Sequence, residues 1–219
     1  MKDKNIKNNI LFTLIAIYAV SAICCNFFSV KPLSFSFPFI VMDGGLLVSW
    51  IPFFVSNIIT ETYGKESAKS LTISMTIVSL CVSILAVIIS FIPTLPIYEE
   101  QAKHFAFVFD NSIRVTVASL LSFFLANIAH ISILDNLKKH TKNDNNFSYL
   151  FRTFISGFLG QFIDNGVFEF LAFAKVGLTP FEMGLFDIFT ATLCSTIIEM
   201  AFHMIFITIF AQYVIKKIK

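Results

Sequence analysis

Long apolar runs separated by short polar segments dominate this chain. About 20 apolar residues in a helix are needed to span the hydrocarbon core of a bilayer. Six runs approach or exceed that length: Ile10–Phe28, an interrupted run from Phe35 to Thr60, Leu71–Ile92, Ile113–Asn136, Phe151–Phe173 and Phe186–Val214. The pattern predicts an all-α, polytopic membrane protein with six transmembrane helices, in which residues 1–219 form a single integral membrane domain.

The second run is broken in its middle by Asp43, Gly44 and Gly45. The piece from Phe35 to Met42 is too short to cross a membrane alone. We expect it to be re-entrant or extended and to lead into a helix that begins near Gly44, with Asp43 as its N-cap. Irregular backbone at membrane depth is tolerated only where protein covers it or where it lines a water-filled cavity. The break therefore indicates a cavity.

Basic residues are distributed unequally between the connecting segments. With six spans, one side of the membrane holds both termini and the segments after spans two and four. The other side holds the remaining connections, including a loop predicted over residues 94–111. The first side carries twelve of the sixteen Lys and Arg residues, and the second carries Lys31, Lys103, Arg114 and Lys175. By the positive-inside rule, both termini are expected to be cytoplasmic and the protein to lie in the plasma membrane.

Composition supports the membrane assignment and argues against several functions. The 219 residues are 56% hydrophobic and 14% charged, whereas about a quarter of a soluble domain is charged. No basic segment interleaved with aromatic residues supports nucleic-acid binding, and no phosphate-binding loop or hydrolase motif is present. The four cysteines lie in apolar runs, so we interpret them as small hydrophobic residues. The sequence predicts neither an enzyme nor a metal site nor a cofactor.

Polar side chains inside the apolar runs are the candidates for a functional site, because such groups are costly in a bilayer. Gln161, Asp164 and Asn165 are spaced i, i+3, i+4 and share one face of the fifth helix, close to Glu169. Three other spans carry polar pairs at helical spacing: Asn57 with Glu61, Asn127 with His130, and Glu199 with His203. If these faces turn inward, they line one central cavity.

Two interpretations fit these polar groups. In one they hydrogen-bond between packed helices, or along a helix as Glu199 and His203 could. In the other they bind a flat, purine-like solute, since carboxylates accept its N–H groups, amides match its carbonyl edge and aromatic rings stack on it. On this second interpretation, the substrate-binding residues are Asn57, Glu61, Asn127, His130, Gln161, Asp164 and Asn165.

Two segments resemble the motifs of a known family, the YhhQ-like queuosine precursor transporters, also called vitamin uptake transporters. FVSNIITETYGKESAKS, residues 54–70, resembles the family's D-[IL]-[LT]-x-E-x-Y-G-x-x-x-A motif. RTFISGFLGQFIDNGVFEFLAF, residues 152–173, is similar to its R-x-x-x-S-x-x-x-x-Q-x-x-D-[TN]-x-[IV]-F segment, and residues 114–139 resemble its R-x-x-x-A-S segment. The likeness extends from Phe35 to Phe173, and the matching positions are Glu61, Tyr63, Gly64, Arg152, Gln161, Asp164 and Phe168.

The resemblance implies import of a small-molecule partner, a 7-deazaguanine precursor of queuosine or queuine itself. The sequence departs from the family pattern at three places. Asn57 stands where the family usually has Asp, His130 stands where a second Asp is common, and the last helix lacks the expected Lys and Tyr pattern. These departures predict a divergent member with another substrate.

Two alternative functions and the energy source complete the hypotheses. The chain fits the substrate-binding membrane component of an energy-coupling-factor importer, which needs an ATPase partner, and it also fits a membrane-embedded enzyme. A homo-oligomer is a further expected form. Because the sequence has no nucleotide motif, a transporter working alone must use a gradient or simple equilibration. The candidates for proton coupling are Asp164, Glu199 and His203, since buried carboxylates and histidines exchange protons near neutral pH.

Overall fold

The computed structural model describes residues 2–29, 31–34, 41–109, 113–141, 145–174 and 183–218. Its α-helices are, in chain order, α1 (Lys2–Phe28), α2 (Leu46–Tyr63), α3 (Lys65–Ser90), α4 (Glu99–Phe109), α5 (Ile113–His140), α6 (Asn146–Phe173), α7 (Leu185–Phe206) and α8 (Gln212–Ile218). Two short antiparallel strands, β1 (Pro32–Ser34) and β2 (Val41–Asp43), pair with Pro32 opposite Asp43. A π-helical turn, Ile207–Ala211, joins α7 to α8.

Four helical stretches are long and apolar enough to cross a membrane, namely Lys7–Phe28, Lys65–Ser90, Val115–His140 and Leu185–Ile215. They correspond to the predicted first, third, fourth and sixth spans, so an all-α, multi-pass membrane protein is confirmed. The predicted second and fifth spans are the helices α2 and α6. Among the described residues neither meets the same criterion, because the polar side chains that mark them as site candidates lower their mean hydropathy. Six transmembrane helices stay a prediction.

Two predictions about connecting segments were wrong in detail. The loop expected over residues 94–111 contains a 3₁₀ turn, Pro96–Tyr98, and the helix α4. Helix α2 begins at Leu46 with Gly45 as its N-cap, not Asp43. Asp43 lies two positions before the N-cap, and its Oδ1 accepts a hydrogen bond from the Gly45 backbone N–H at 2.7 Å. Of the expected extended piece before it, residues 41 and 42 belong to β2 and residues 35–40 lie outside the described part of the chain.

Helix α6 packs against both α5 and α7, and one of its faces carries small residues at helical spacing. A Cβ atom at Gly160 would lie 2.8 Å from the Cβ of His130 and 2.9 Å from the ring of Phe53. A Cβ atom at Gly157 would lie 3.0 Å from the Nδ1 of His203. These glycines allow α2, α5 and α7 to approach α6 closely, as small residues do between membrane helices.

The apolar side chains divide between a buried core and a surface suited to lipid. The core lies where α1, α2, α5 and α8 meet and includes the fully buried Tyr18, Ile58 and Ile131. Helix α3 instead exposes apolar side chains along its length, among them Ile77 at 56% and Leu85 at 57%. Such an exposed apolar surface is suited to contact with lipid.

A single glycine joins α2 to α3. Gly64 has φ 87°, a conformation that side chains other than glycine rarely adopt, and it ends α2 and begins α3 at once. The two helices are therefore linked without a loop, next to the predicted site residue Glu61.

We predict that Gly160→Ala and Gly166→Ala change stability in opposite directions. A methyl group at residue 160 would collide with His130 and Phe53, which should cost about 1–3 kcal/mol through overpacking. At residue 166 the nearest atom is a Thr192 methyl at 3.5 Å, an ordinary contact, so alanine should be neutral or stabilising by up to about 1 kcal/mol through its helix propensity. Thermal unfolding of the two purified variants in detergent measures the difference, and equal midpoints would contradict the close packing at Gly160.

Candidate functional site

A polar cavity lies at the end of the bundle where α2 and α7 begin and where α1 ends. Its volume is about 60 Å³, room for about four water molecules. Side chains from α1, α2, α3, α5, α6 and α7 line it, together with Asp43 at the end of β2. Phe123 and Phe168 contribute aromatic surface to a wall that otherwise carries many serine hydroxyls. This position agrees with the cavity indicated by the Asp43-Gly44-Gly45 break.

Four carboxylates line this cavity, which we call the acidic cavity: Asp43, Asp164, Glu169 and Glu199. None of the described residues that line it is Lys, Arg or His. Within the described ranges, no three His, Cys, Asp or Glu side chains are grouped closely enough to hold a metal ion. The cavity therefore presents negative or acceptor groups without a fixed positive charge to offset them.

Glu199 is held by two other helices. Its Oε2 accepts a hydrogen bond from Asn165 Nδ2 at 2.7 Å, and its Oε1 accepts one from the Ser49 hydroxyl. The side chain of Glu199 is 3% exposed, so these bonds replace most of its contact with solvent. The structure thus brings together three predicted residues, Asp164, Asn165 and Glu199, at one cavity.

Asp43 reaches the acidic cavity because two glycines bring the hairpin onto the end of α1. A Cβ atom at Gly44 would lie 2.6 Å from the Phe28 carbonyl oxygen, and one at Gly45 would lie 2.9 Å from the Cys25 carbonyl oxygen. The Gly45 backbone N–H donates a hydrogen bond to Asp43 Oδ1 at 2.7 Å, which fixes the carboxyl group beside the start of α2.

One helical turn deeper, three predicted residues from α5, α6 and α7 meet: His130, Gln161 and His203, which we call the histidine–glutamine cluster. All three are 0% exposed. Gln161 Nε2 lies 3.4 Å from His203 Nδ1, and the two histidine ring centroids are 6.3 Å apart. In the described part of the chain, Glu199 and His203 make no hydrogen bond with each other, so the i, i+4 pairing considered for them is not observed.

Asn127 belongs to a separate hydrogen-bond network. Its Oδ1 accepts hydrogen bonds from the hydroxyls of Tyr18 at 3.2 Å and Ser56 at 3.1 Å, and Tyr18 also contacts Thr72. The network joins α1, α2, α3 and α5. It matches the interpretation of Asn127 as a contact between packed helices, and a role in substrate binding stays a prediction.

The remaining predicted residues, Asn57 and Glu61, lie at the opposite end of the bundle from the acidic cavity. The Asn57 side chain donates to Thr153 at 2.9 Å and accepts from the Tyr149 hydroxyl at 2.9 Å. Glu61 forms ion pairs with Arg152 at 2.8 Å and Lys138 at 3.1 Å, a group that we call the ion-pair cluster. These contacts tie α2 to α5 and α6, so both residues have structural partners and neither lines the acidic cavity.

Sequence reasoning gave no binding role to Asp43, Ser49 or Ser122, although all three line the acidic cavity. Asp43 was interpreted as a helix cap, and the adjacent Gly-Gly pair was the signal that could have identified it. Ser49 contacts Glu199, which is 150 residues away in the sequence. Nothing in the spacing of Ser49 or Ser122 distinguishes them from the other serines of the chain. Only the fold identifies them.

Comparison with known proteins gives one match. A family model described as "Putative vitamin uptake transporter" matches residues 43–217. The matched segment includes every predicted site residue and extends through the last helix, beyond Phe173, where the motif resemblance ended. No curated protein and no solved structure matches the chain.

We predict that Arg152→Met destabilises the protein far more than Lys139→Met. Arg152 is 3% exposed, and its loss leaves the buried Glu61 with Lys138 alone, which should cost about 3–5 kcal/mol. Lys139 also pairs with a carboxylate, Asp135, but its side chain is 65% exposed, and such pairs contribute about 0–1 kcal/mol. Thermal unfolding in detergent compares the two variants. Similar midpoints would show that the ion-pair cluster contributes little to the fold.

Proposed function

This chain belongs to the vitamin uptake transporter family, and from that premise we propose that it imports a small planar solute across the plasma membrane. The substrate class that we propose is a deazapurine, as in a queuosine precursor (a 7-deazaguanine derivative or queuine). The observation that carries this proposal is the acidic cavity, where Asp164, Asn165 and Glu199 converge within the segment that the family model covers.

The charge of the acidic cavity supports one part of the proposal. The described lining residues include no Lys, Arg or His side chain that could pair with an anionic solute. The four carboxyl groups supply oxygen acceptors for the N–H and amino groups of a neutral or cationic base. This supports uptake of neutral or positively charged heterocycles rather than of acids such as folate or biotin.

The walls of the cavity support a flat solute. Phe123 of α5 and Phe168 of α6 both line the acidic cavity. Aromatic rings stack on the faces of nucleobase-like solutes, while the carboxylate and amide groups bond to the edges. Phe168 is also one of the positions that match the family motif.

The proposed orientation follows from the charge distribution. The acidic cavity lies at the end of the bundle opposite the Lys-rich ends of α5 and α8. With both termini cytoplasmic, this cavity faces the outside and the ion-pair cluster closes the inside. That arrangement supports a conformation ready to receive solute from outside the cell.

Two alternatives differ from autonomous uptake in observable ways. If the chain is the substrate-binding component of an energy-coupling-factor importer, uptake requires an ATPase partner and is absent with the purified chain alone. If it is a membrane-embedded enzyme, purified protein converts the solute into a product. The transporter family supports uptake over catalysis, and a homo-oligomer is compatible with each of these functions.

We predict that Asp164→Asn lowers uptake of queuine or a 7-deazaguanine precursor at least about tenfold. Loss of a charged hydrogen-bond acceptor of this kind corresponds to about 1.5–3 kcal/mol. The matched control is Asp187→Asn at the exposed N-terminal turn of α7, which should transport normally. Radiolabelled uptake into intact cells measures both variants.

Membrane insertion must be unchanged for that result to count. A cysteine at position 217 that is labelled only after the membrane is permeabilised would show correct insertion and would test the cytoplasmic C-terminus as well. Wild-type uptake by a correctly inserted Asp164→Asn protein would contradict a binding role for this carboxylate.

We also propose that inward proton flow drives uptake, with Glu199 as the principal coupling group and Asp164 and His203 beside it. Glu199 is buried at the cavity floor, where its bonds to Ser49 and Asn165 orient it. Protonation would change both its charge and its ability to accept those bonds. The other titratable groups facing the same space are the carboxyl groups of Asp43 and Glu169 and the thiol of Cys25.

Proteoliposomes at equal solute concentration test the coupling. We expect accumulation when the inside is alkaline, loss of accumulation with a protonophore, and no gradient-driven accumulation in Glu199→Gln. The matched control is Glu66→Gln in the exposed first turn of α3, which should behave as wild type. Exchange of solute without accumulation, unchanged by the gradient or the protonophore, would contradict proton coupling and favour facilitated diffusion.

A further inference from the structure

The histidine–glutamine cluster contains buried polar atoms that the fold leaves without hydrogen bonds. Gln161 Oε1 and His203 Nε2 have no hydrogen-bond partner among the residues that the structure describes. The ring nitrogens of His130 face the backbone of Phe53 and Ser156, and no described group forms a hydrogen bond of acceptable geometry with them. Buried polar groups in native proteins nearly always have partners, so several exceptions at one place require an explanation.

The one contact within the cluster determines the chemistry of the free atoms. An amide nitrogen can only donate, so in the contact between Gln161 Nε2 and His203 Nδ1 the imidazole nitrogen is the acceptor. In a neutral imidazole the proton is then on Nε2. His203 therefore presents an N–H donor and Gln161 presents a carbonyl acceptor, and both side chains are 0% exposed.

The cluster lies directly below the acidic cavity. Gln161 precedes Asp164 and Asn165 by three and four residues on α6, and His203 follows Glu199 by four on α7, so each is one helical turn deeper than a cavity residue. Further along the same face of α6 follow Gly157 and Thr153. Thr153 contacts Asn57, one helical turn from Glu61 in the ion-pair cluster. A continuous line of polar side chains and small residues thus connects the acidic cavity to the opposite end.

We propose that Gln161 and His203 form a second, buried binding subsite, which recognises the neutral amide (lactam) edge of the transported solute after it leaves the acidic cavity. The solute's ring N–H would donate to Gln161 Oε1, and its carbonyl would accept from His203 Nε2–H. This inference rests on the proposed function, since it requires that a heterocyclic solute is transported.

The arrangement separates two tasks along the path. The acidic cavity binds hydrogen-bond donors and positive charge. The subsite has no formal charge when its histidines are neutral, and it recognises a solute edge on which one hydrogen-bond donor lies beside one acceptor. Entry to the subsite requires α5 and α7 to move away from α6, because His203 is in close contact with α6 at Gly157 and His130 is in close contact with it at Gly160. The solute is therefore bound at this subsite during the conformational change of the bundle, between its entry from the acidic cavity and its release.

The test uses two ligands and two variants of the full chain purified in detergent. The ligands are 7-deazaguanine, which has the lactam edge, and its 6-O-methyl derivative, which has lost both the ring N–H and the free carbonyl. The variants are Gln161→Met, which keeps the length of the side chain and removes the acceptor, and Ser156→Ala. Ser156 is the matched control, since it is buried on the same helix and its hydroxyl already bonds to the Arg152 carbonyl.

We expect wild type and Ser156→Ala to bind 7-deazaguanine at least about tenfold more tightly than the methylated base, because a site built for hydrogen bonds rejects a ligand that lacks them. Gln161→Met should bind the two bases within about threefold of each other. Without ligand it should melt close to wild type, because the loss of the long 3.4 Å bond to His203 Nδ1 is offset by removal of the carbonyl oxygen that has no partner.

The outcomes separate this inference from the proposed function. Wild type that binds neither base contradicts the deazapurine substrate and the subsite with it. A Gln161→Met protein that keeps the wild-type preference overturns the subsite alone. A Gln161→Met protein that fails to fold, or that melts several degrees lower without ligand, shows that Gln161 is a structural bond and also overturns the subsite.

Discussion

Polar side chains inside a membrane bundle must be hydrogen-bonded within the protein, since lipid offers no partners. In this chain most of these bonds are made by side chains of α6. Gly157 and Gly160 let three other helices approach α6 closely enough for their polar groups to meet. The bonds from Asn165 to Glu199, from Asn57 to Thr153 and from Arg152 to Glu61 all cross its surface. Without that close approach, each of these groups would be buried without a partner.

The electrostatic character changes along the axis of the bundle. At one end four carboxylates line a cavity without a basic side chain among the described lining residues, and at the other Glu61 lies between Arg152 and Lys138. Neutral histidine and amide groups lie between the two. This order of groups along the axis suits the solute of the proposed transport. Its donor groups are bound at the acidic cavity, its shape and hydrogen-bonding groups are recognised next, and the ion-pair cluster is the barrier at the opposite end.

The sequence was enough to predict the helical membrane class, the cavity near Asp43 and the shared face of Gln161, Asp164 and Asn165, because helical spacing and hydropathy are local properties. It could not separate Asn57 and Glu61 from the residues at the cavity. Asn57, Glu61 and the cavity residues are all polar groups in apolar helices. Whether each is hydrogen-bonded within the protein depends on where the helices cross, and this is a property of the fold. The helix α4 was predicted as a loop because its 11 residues are too few to span a membrane and begin with the charged residues Glu99 and Glu100.

The link at Gly64 restricts how the end of the bundle that holds the ion-pair cluster can open. With one residue between them, α2 and α3 cannot separate there, and α5 and α6 are packed together along their lengths. The ion pairs from Glu61 to Arg152 and Lys138, and from Lys65 to Asp135, all cross the seam between these two pairs of helices. Opening of this end, which the proposed transport requires, would therefore move one helix pair against the other and break these ion pairs, rather than move a single helix.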